Sequence, residues 1–350
     1  ALADVPLPRE AARLEELRLG ALDATDARAV LTATFGDELA SPVVEQVIES
    51  GQGNPLALLE IARDLTPEQR HARAPLDGSL PPSAEGAYLR RIAALPADTR
   101  RALLIAALTR DGDRETVARA CTTVGLDATA LDPAERAGLV VQDETRVTFC
   151  HELARTAVSY SALAAERRLA HGALARAVEG EQRLWHQAHA GTDPDEIVAE
   201  GLDGVATRAR DQGAHAAAAR ALEEAARMTS DPDRRAERLL RAAQSAHVAG
   251  HVHAALDHLG AALESVSAPA LRIELEHARG RIAARSGEAA RARDWLTATA
   301  GRCEHDDPAK AAEILADAIL PSLRAGSPAD AVHLARRSMR LARGAGPTVR

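Results

Sequence analysis

The sequence predicts a mainly α-helical protein: a helical lid, a winged helix with one small β-hairpin, and then a tetratricopeptide-like α-solenoid. Three observations lead to this fold class. Aromatic residues make up only 2% of the chain, so the core must be built from Leu, Val, Ile and Ala, which suits closely packed helices. A clear sequence signal for a β-hairpin occurs once, after three predicted short helices. Glycines then recur at a nearly constant spacing through a long helical region.

The composition is that of a soluble globular protein. The 350 residues carry 43 basic and 51 acidic side chains, a net charge of −8, and 46% of the residues are hydrophobic. No run of eighteen apolar residues is present, and the first residues lack the pattern of a signal peptide. The cysteines, Cys121, Cys150 and Cys303, are too scattered for a disulfide framework or a paired-cysteine zinc site. We therefore expect a cytoplasmic protein with no contact to a membrane.

Lys310 is the single lysine of the chain, in the setting Asp307-Pro308-Ala309-Lys310-Ala311. A phosphate-binding P-loop requires a lysine directly after a glycine-rich turn, because its ammonium group must reach the nucleotide phosphates. No such turn precedes Lys310. No Ser/His/Asp or Cys/His triad can be assembled either, so we expect no catalytic residues and no enzyme activity from these residues.

The first 75 residues are expected to form a short strand and then helices. Alternating leucines, Leu17, Leu19 and Leu22, indicate the strand. Asp23 can cap a helix over residues 24–34, and a second helix should run from Ser41-Pro42 to Gly51 with valines on its apolar face. Residues 71–84 are rich in proline, glycine and small polar residues, which predicts a linker.

A sharp turn at Gly51-Gln52-Gly53-Asn54-Pro55 precedes the apolar run Leu56-Ala57-Leu58-Leu59. Glycine, asparagine and proline in this order predict a turn that starts a helix, with the first amides directed outward. Such a helix start could form a polar cradle for an anion. The local chemistry also fits a plain turn without a ligand.

Residues from Pro96 onward have the layout of a winged helix. One helix should carry Leu103, Leu104, Ala107 and Leu108, and Asp113 should cap a second with Val117, Cys121 and Val124 on its apolar face. Asp132-Pro133-Ala134-Glu135 matches a capping box for a third helix, ended by Gly138. Residues 139–141 and 147–149 then flank Asp143-Glu144-Thr145, which predicts a β-hairpin.

The chain after Ser161 is predicted to be helical and repetitive. The repeat is marked by four glycines, Gly213, Gly250, Gly287 and Gly326. Five positions after each glycine stands an alanine: Ala218, Ala255, Ala292 and Ala331. Nine positions after each glycine stand Leu222, Leu259, Leu296 and Ala335. A glycine that ends one helix, a small residue at a helix crossing and a large apolar residue one turn later are typical of stacked helical hairpins. We interpret them as degenerate tetratricopeptide-like repeats, with coincidence in an Ala-rich chain as the alternative.

Three features together resemble one known family. These are the segment Gly53-Asn54-Pro55-Leu56, the winged-helix layout, and the segment Phe149-Cys150-His151-Glu152 leading into helical repeats. They look like the large ATP-binding regulators of the LuxR type, MalT-like signal-transduction ATPases with numerous domains. The resemblance covers essentially the whole chain. It implies that residues 1–80 are the end of a nucleotide-binding domain and a helical lid, residues 81–160 the winged helix, and residues 161–350 the repeats.

The resemblance also implies a nucleotide site for ATP or ADP in the parent protein. In such proteins the proline of the Gly-x-Pro-Leu motif lies against adenine, which here is Pro55 with Asn54 and Leu56 beside it. The histidine after the winged hairpin contacts the β-phosphate, and the matching residue is His151. The departures are large: the P-loop, the acidic magnesium-binding strand and the C-terminal helix-turn-helix have no counterpart here, and Cys150-His151-Glu152 stands where Arg-His-Pro is commoner.

The function that the resemblance implies is that of a regulatory segment of an ATP-dependent transcriptional regulator. Its repeats would sense a protein or small-molecule inducer and support self-association, and DNA would be bound only by a C-terminal domain that these residues lack. We expect this segment alone to bind no nucleotide tightly. The alternative is a stand-alone helical-repeat scaffold that binds a protein partner without nucleotide function.

Two possible metal sites are excluded by spacing. His151-Glu152 would begin a zinc-protease motif, but the second histidine is replaced by Arg155. His247 and His251 are four residues apart, yet Gly250 between them predicts a helix end that separates the two rings. We therefore predict no metal site, and we interpret the many acidic residues among arginines as solvated helix faces with i, i+4 pairs.

Overall fold

The computed structural model describes residues 20–73, 84–127 and 129–344. The chain divides into two compact units between Arg167 and Arg168. The elements up to this boundary are α1 (Ala24–Phe35), α2 (Ser41–Gly51), α3 (Pro55–Asp64), α4 (Pro67–Arg70), α5 (Ala84–Ala93), α6 (Ala97–Leu108), α7 (Arg114–Thr123), α8 (Asp132–Arg136), β1 (Val140–Gln142), β2 (Val147–Phe149) and α9 (Glu152–Ser161).

The second unit consists of helices within the described residues. The boundary falls in α10 (Ala164–Ala177), and the helices after it are α11 (Gly180–Ala190), α12 (Glu196–Asp211), α13 (His215–Arg227), α14 (Pro232–Val248), α15 (Val252–Ser265), α16 (Pro269–Arg285), α17 (Ala289–Cys303), α18 (Pro308–Arg324) and α19 (Pro328–Gly344). The predicted fold class, mainly helical with one small hairpin and a helical repeat array, is confirmed.

The helix starts of the first unit follow the sequence signals. Asp23 caps α1 by accepting hydrogen bonds from the amides of Thr25 and Asp26, and α2 begins at Ser41, as predicted. The predicted strand lies mostly outside the described residues. Leu22, its described member, is not in a strand, and its amide instead donates to the Gly53 carbonyl at 2.8 Å. Most of the predicted 71–84 linker also lies outside the described residues.

The winged-helix layout is present as three helices followed by an antiparallel hairpin. Val140 pairs with Phe149 and Gln142 with Val147. The hairpin is fixed to the turn before α7, where the Val147 amide donates to the Gly112 carbonyl at 2.8 Å. Gly112 has φ +69°, and a Cβ there would collide with the Val147 carbonyl oxygen, so this close approach requires glycine.

Two details of the winged-helix prediction are wrong. Asp132 does not cap α8: Leu131 occupies the N-cap position without a side-chain bond, and Asp132 is the first helical residue. The Glu135 carboxylate is instead engaged by Gln142 of β1, through its amide (2.9 Å) and its side chain (3.1 Å). Val124, expected on the apolar face of α7, is 39% exposed because it follows the last helical residue.

The repeat pattern predicts the helical hairpins of the second unit. All four spaced glycines have φ between +74° and +94°, the left-handed conformation that ends a helix with least strain in glycine. The four following alanines are at most 3% exposed, and the three leucines at most 1%. The fourth hairpin differs, because Leu334 (3% exposed) is buried in the core one position before the predicted Ala335.

The leucine of the third hairpin, Leu296, packs onto Gly280 of the preceding helix α16. A Cβ at Gly280 would overlap both Cγ and Cδ2 of Leu296. The first helices of successive hairpins contact one another, α14 with α16 and α16 with α18. The second helix of each pair also packs on the first helix of the next pair, α13 on α14, α15 on α16 and α17 on α18, so successive pairs stack through both of their helices.

Asp233 joins two neighbouring hairpins. Its carboxylate on α14 accepts hydrogen bonds from the amides of Ser267 (2.7 Å) and Ala268 (3.1 Å), which directly precede α16. These amide hydrogen bonds lower the pKa of Asp233 from its ordinary value. Ala268 is the N-cap residue of α16 and has no capping side chain of its own, so Asp233 supplies the acceptor.

Gly280→Ala and Gly260→Ala are expected to change stability in opposite directions. Alanine at Gly280 would be forced against Leu296, at a cost of about 1–3 kcal/mol for overpacking. Gly260, in the middle of α15, has open space where the methyl group of an alanine would lie, so alanine there should stabilise the protein by up to about 1 kcal/mol through helix propensity. Urea unfolding of both variants checks the pair, and stabilisation by both would show that α16 and α17 are not packed this closely.

No helix in the described ranges is both long and apolar enough to cross a bilayer.

Candidate functional site

Asn54 caps the start of α3. Its side-chain oxygen accepts hydrogen bonds from the amides of Leu56 (3.0 Å) and Ala57 (3.2 Å). The expectation of outward-directed amides that form an open polar cradle is therefore wrong at these two positions, since Asn54 already fills them. An anion at this helix start would have to displace the asparagine side chain.

The turn before α3 is held against the chain that leads into α1. Gly53 has φ +71°, and a Cβ there would collide with the Leu22 carbonyl oxygen, so only glycine allows this approach. Asn54 and Pro55 are exposed beyond this contact, and Leu56 is half-buried. Pro55 is the first helical residue, where its fixed φ and missing N–H cost nothing. The turn thus presents the proline ring on the surface of a rigid helix start.

His151 caps α9, directly after the hairpin. Its Nδ1 accepts a hydrogen bond from the Leu153 amide at 3.0 Å. In the neutral imidazole this bond leaves the proton on Nε2, and the side chain is exposed. The ring lies nearly parallel to that of Tyr88 on α5, with the ring centres 6.4 Å apart. His151 is therefore oriented from two sides and keeps one N–H donor available.

The residues on either side of His151 explain two of the departures from the family pattern. Glu152 takes the first position of α9, where both proline and an acidic residue are favourable. The Cys150 thiol donates to the Gly138 carbonyl, and burial together with the charge of Glu60 raises the pKa of this thiol. The thiol therefore stays protonated near neutral pH and is a structural group.

Arg155, which breaks the zinc-protease motif, has a structural role. Its guanidinium donates to the carbonyls of Ala107 (2.8 Å) and Thr109 (3.0 Å) at the end of α6. These are carbonyls that a helix end leaves without an intrahelical partner. Arg155 thus joins α9 to the first helix of the winged-helix layout.

A buried charged cluster lies beside Tyr88. Glu60 of α3 is 2% exposed and pairs with Arg63 (2.7 Å) and with Arg91 of α5 (3.0 Å). Arg91 also pairs with Asp64 (2.9 Å), and its guanidinium lies 5.5 Å from the centre of the Tyr88 ring. Burial, reinforced by the Glu60 charge, raises the pKa of Tyr88 to about 12. The tyrosine therefore remains neutral and packs as a rigid ring under His151.

The four candidate nucleotide residues occupy two helix starts of one unit. Asn54, Pro55 and Leu56 begin α3, and His151 precedes α9; both helices pack on α5. No hydrogen bond, ion pair or ring contact between described residues joins the two sets directly. The sequence did not point to Tyr88, Glu60 or Arg91; the only signal was the i, i+3, i+4 spacing of Glu60, Arg63 and Asp64, which predicts a helix face and not its partner on α5.

The histidine-rich segment of the repeats spans the end of α14 and the start of α15. Among the described residues, no three His, Cys, Asp or Glu side chains are placed to hold a metal ion. His247 lies at the end of α14 and His251 before α15, on either side of the left-handed Gly250. Burial and then the nearby Arg285 and Arg281 lower the pKa of His247, and these same charges would repel a metal cation.

Comparison with known proteins gives little similarity. No protein-family model matches the chain, and no curated protein matches it. Among solved structures, the chain is similar to a signal-transduction ATPase with numerous domains that carries a tetratricopeptide repeat sensor, from Pyrococcus horikoshii, with 12% identity and a TM-score of 0.37. The similarity covers 94% of this chain and 55% of that protein, so the chain spans about half the length of the protein it matches.

Proposed function

We propose that the chain is the regulatory segment of an ATP-dependent, LuxR-type transcriptional regulator of the cytoplasm. In this role it would couple the nucleotide state of the parent protein to the sensing of an inducer or partner by the helical repeats. The observation that carries the proposal is that Pro55 and His151, the two residues that the family motifs assign to the nucleotide, both stand exposed at the starts of capped helices in one unit.

The chemistry of these positions fits an adenine nucleotide. The nucleotide would supply a flat purine face and anionic phosphates. The exposed ring of Pro55 offers an apolar surface to the purine, with Leu56 half-buried beside it. His151 offers its Nε2–H as a hydrogen-bond donor to a phosphate oxygen, while its Nδ1 accepts from the Leu153 amide. Asn54 keeps the helix start closed and thereby fixes the orientation of Pro55.

The chain would act as a component of a switch and not as a catalyst. The single lysine, Lys310, lies on α18 and pairs with Glu313 (3.1 Å) and Glu274 (3.5 Å), so it is engaged within the repeats. The arginines of the neighbouring cluster, Arg63 and Arg91, are engaged by the carboxylates of Glu60 and Asp64. Phosphate binding of useful strength would therefore require residues of the parent protein outside this chain, and DNA binding would require its C-terminal domain.

Nucleotide titration of the intact gene product tests the proposal. We expect it to bind ADP with micromolar or tighter affinity, and we expect Pro55→Ala and His151→Ala each to weaken binding by about tenfold, the equivalent of one good contact. Glu152→Gln should strengthen binding, because it removes a negative charge next to His151. His71→Ala, an exposed histidine after α4, is the matched control and should leave the affinity unchanged. Isothermal titration calorimetry gives the affinities of the wild type and of the four variants.

Three results would overturn the proposal. An intact coding sequence without a Gly-Lys-Ser/Thr motif upstream would favour the stand-alone scaffold. Equal ADP affinity of the wild type and of the Pro55 and His151 variants would remove both residues from the site. Micromolar ADP binding by residues 1–350 alone would contradict the inference that the phosphates are held elsewhere.

A further inference from the structure

A groove on the repeat array is lined by α15 on one side and by α17, together with Arg279 of α16, on the other. It encloses about 560 Å³. Its walls belong to the second helices of two successive hairpins, whereas the first helices of these hairpins pack directly on each other. Gly260 and Ala261 keep the α15 wall low, because neither carries a side chain larger than a methyl group. The volume is within the range of sites for small molecules, about 300–1,000 Å³.

The α15 wall carries two negative charges that no ion pair with another described residue neutralises. Asp257 and Glu264 both line the groove, and both are exposed. They are seven residues apart, two helical turns, which places them on the same face. Neither forms an ion pair with another described residue. His253, one turn before Asp257, lines the same wall.

The opposite side carries two arginines that are ordered by one aromatic ring. The guanidinium carbons of Arg279 (α16) and Arg291 (α17) lie 4.0 and 4.4 Å from the centre of the Trp295 ring. Arg291 also pairs with Glu288 at 3.0 Å, whereas Arg279 has no acidic partner among the described residues. A guanidinium that contacts a ring through its face keeps its N–H groups in the plane free, in the fork geometry that binds a carboxylate. Arg279 is thus held in place, and no described residue accepts a hydrogen bond from its side chain.

The carboxylates of Asp257 and Glu264 on one side of the groove and the guanidinium of Arg279 on the other form no ion pair with each other, and this arrangement of charges defines the ligand. We infer that this groove binds a small zwitterion, with its ammonium group between Asp257 and Glu264 and its carboxylate on Arg279. An anion alone would face the two unpaired carboxylates, and a cation alone would face the two arginines. That this zwitterion is the inducer rests on the function proposed above, whereas the binding site itself does not.

Binding of ω-amino acids of increasing length to the 350-residue chain tests the inference. The probes are 4-aminobutanoate, 6-aminohexanoate and 8-aminooctanoate, and hexanoate and hexylammonium each lack one of the two charges. We expect one length to bind best, since the distance between the charged walls is fixed. Hexanoate and hexylammonium should each bind at least about tenfold more weakly than the preferred zwitterion, the value of one charge-assisted contact. Calorimetry gives the affinities, and Trp295 fluorescence reports binding inside the groove.

Variants on the two sides separate binding in the groove from binding elsewhere. Asp257→Asn and Arg279→Gln should each weaken binding of the preferred zwitterion by about tenfold. Glu223→Gln and Arg220→Gln, exposed on α13 outside the groove, repeat the same charge changes and should have no effect. Asp257 has no ion-pair partner among the described residues, so its variant should fold normally, and circular dichroism checks both.

The inference fails if none of the zwitterions binds saturably, if hexanoate or hexylammonium binds as well as the best of them, or if the Asp257 and Arg279 variants bind like the controls. Each of these results would leave the ADP titration untouched, because that experiment reads out a different unit of the chain. Conversely, loss of the nucleotide proposal would leave the zwitterion titration valid.

Discussion

Leu259→Asp is expected to abolish stable folding of the repeat array. Leu259 of α15 is fully buried in a cluster with Ala243 of α14, Leu275 and Ile282 of α16. The variant loses about 2–3 kcal/mol of apolar burial and places an unpaired carboxylate in an apolar core, for a total loss of about 5 kcal/mol or more. Because a domain is stable by only about 5–15 kcal/mol, thermal unfolding followed by circular dichroism should show a large fall in the melting temperature.

Two variants of the same helix provide the controls. Leu259→Ala removes the side chain without adding charge and should cost about 3 kcal/mol. Ala261→Asp introduces the same carboxylate at an exposed position two residues away and should cost less than about 1 kcal/mol, close to the difference in helix propensity. Similar melting temperatures for Leu259→Asp and Ala261→Asp would show that the repeat register is wrong.

Arg238→Met is expected to cost about 3 kcal/mol, far more than the loss of a surface arginine. The Arg238 side chain is 4% exposed, and its guanidinium contacts Glu196 (2.6 Å) and Asp203 (2.9 Å) of α12 as well as the Thr229 hydroxyl. Removing the arginine would leave these acceptors facing an apolar side chain, and breaking a buried pair from one side is costly. Urea unfolding measures the difference.

Arg234→Met is the matched control. Arg234 lies one turn earlier on α14 and pairs with Glu196 and Glu200, but its side chain is 49% exposed, so its loss should cost less than about 1 kcal/mol. Equal effects of the two single arginine variants would contradict the structural role of Arg238.

The sequence predicted local features well because their signals are local. Asp23, Pro55 and Asp113 start helices where expected, and the hairpin around Asp143 forms with the predicted strands. The glycine spacing predicted the hairpins because a left-handed residue at a helix end is a property of a few adjacent residues. The capping box predicted at Asp132 was wrong because the Glu135 carboxylate accepts a hydrogen bond from Gln142 of β1 instead. This contact depends on how the strand packs on α8, which a local sequence pattern does not show.

The candidate nucleotide site was predictable only in part. The positions of Asn54 and His151 at helix starts follow from turn and capping chemistry, but the side-chain roles do not: Asn54 closes the amides that were expected to be open. Arg91 and Glu60 are 31 residues apart, and their pairing depends on how α3 and α5 pack. The interpretation of the many acidic residues among arginines as solvated helix faces was wrong for Glu60, which is buried, and for Asp203, which joins two helices through Arg238.

The carboxylate of Asp233 makes the third hairpin depend on the second for the cap of its first helix. The amides that precede the third hairpin donate their hydrogen bonds to Asp233 of the second hairpin. The start of α16 is therefore stabilised by a residue that lies about one repeat earlier in the chain. A shortened array that ended after α15 and one that started at α16 would both expose the core that Leu259 shares with Leu275 and Ile282, but only the array that started at α16 would also lose the acceptor for its first amides. We therefore expect the repeat array to tolerate truncation after α15 better than truncation before α16.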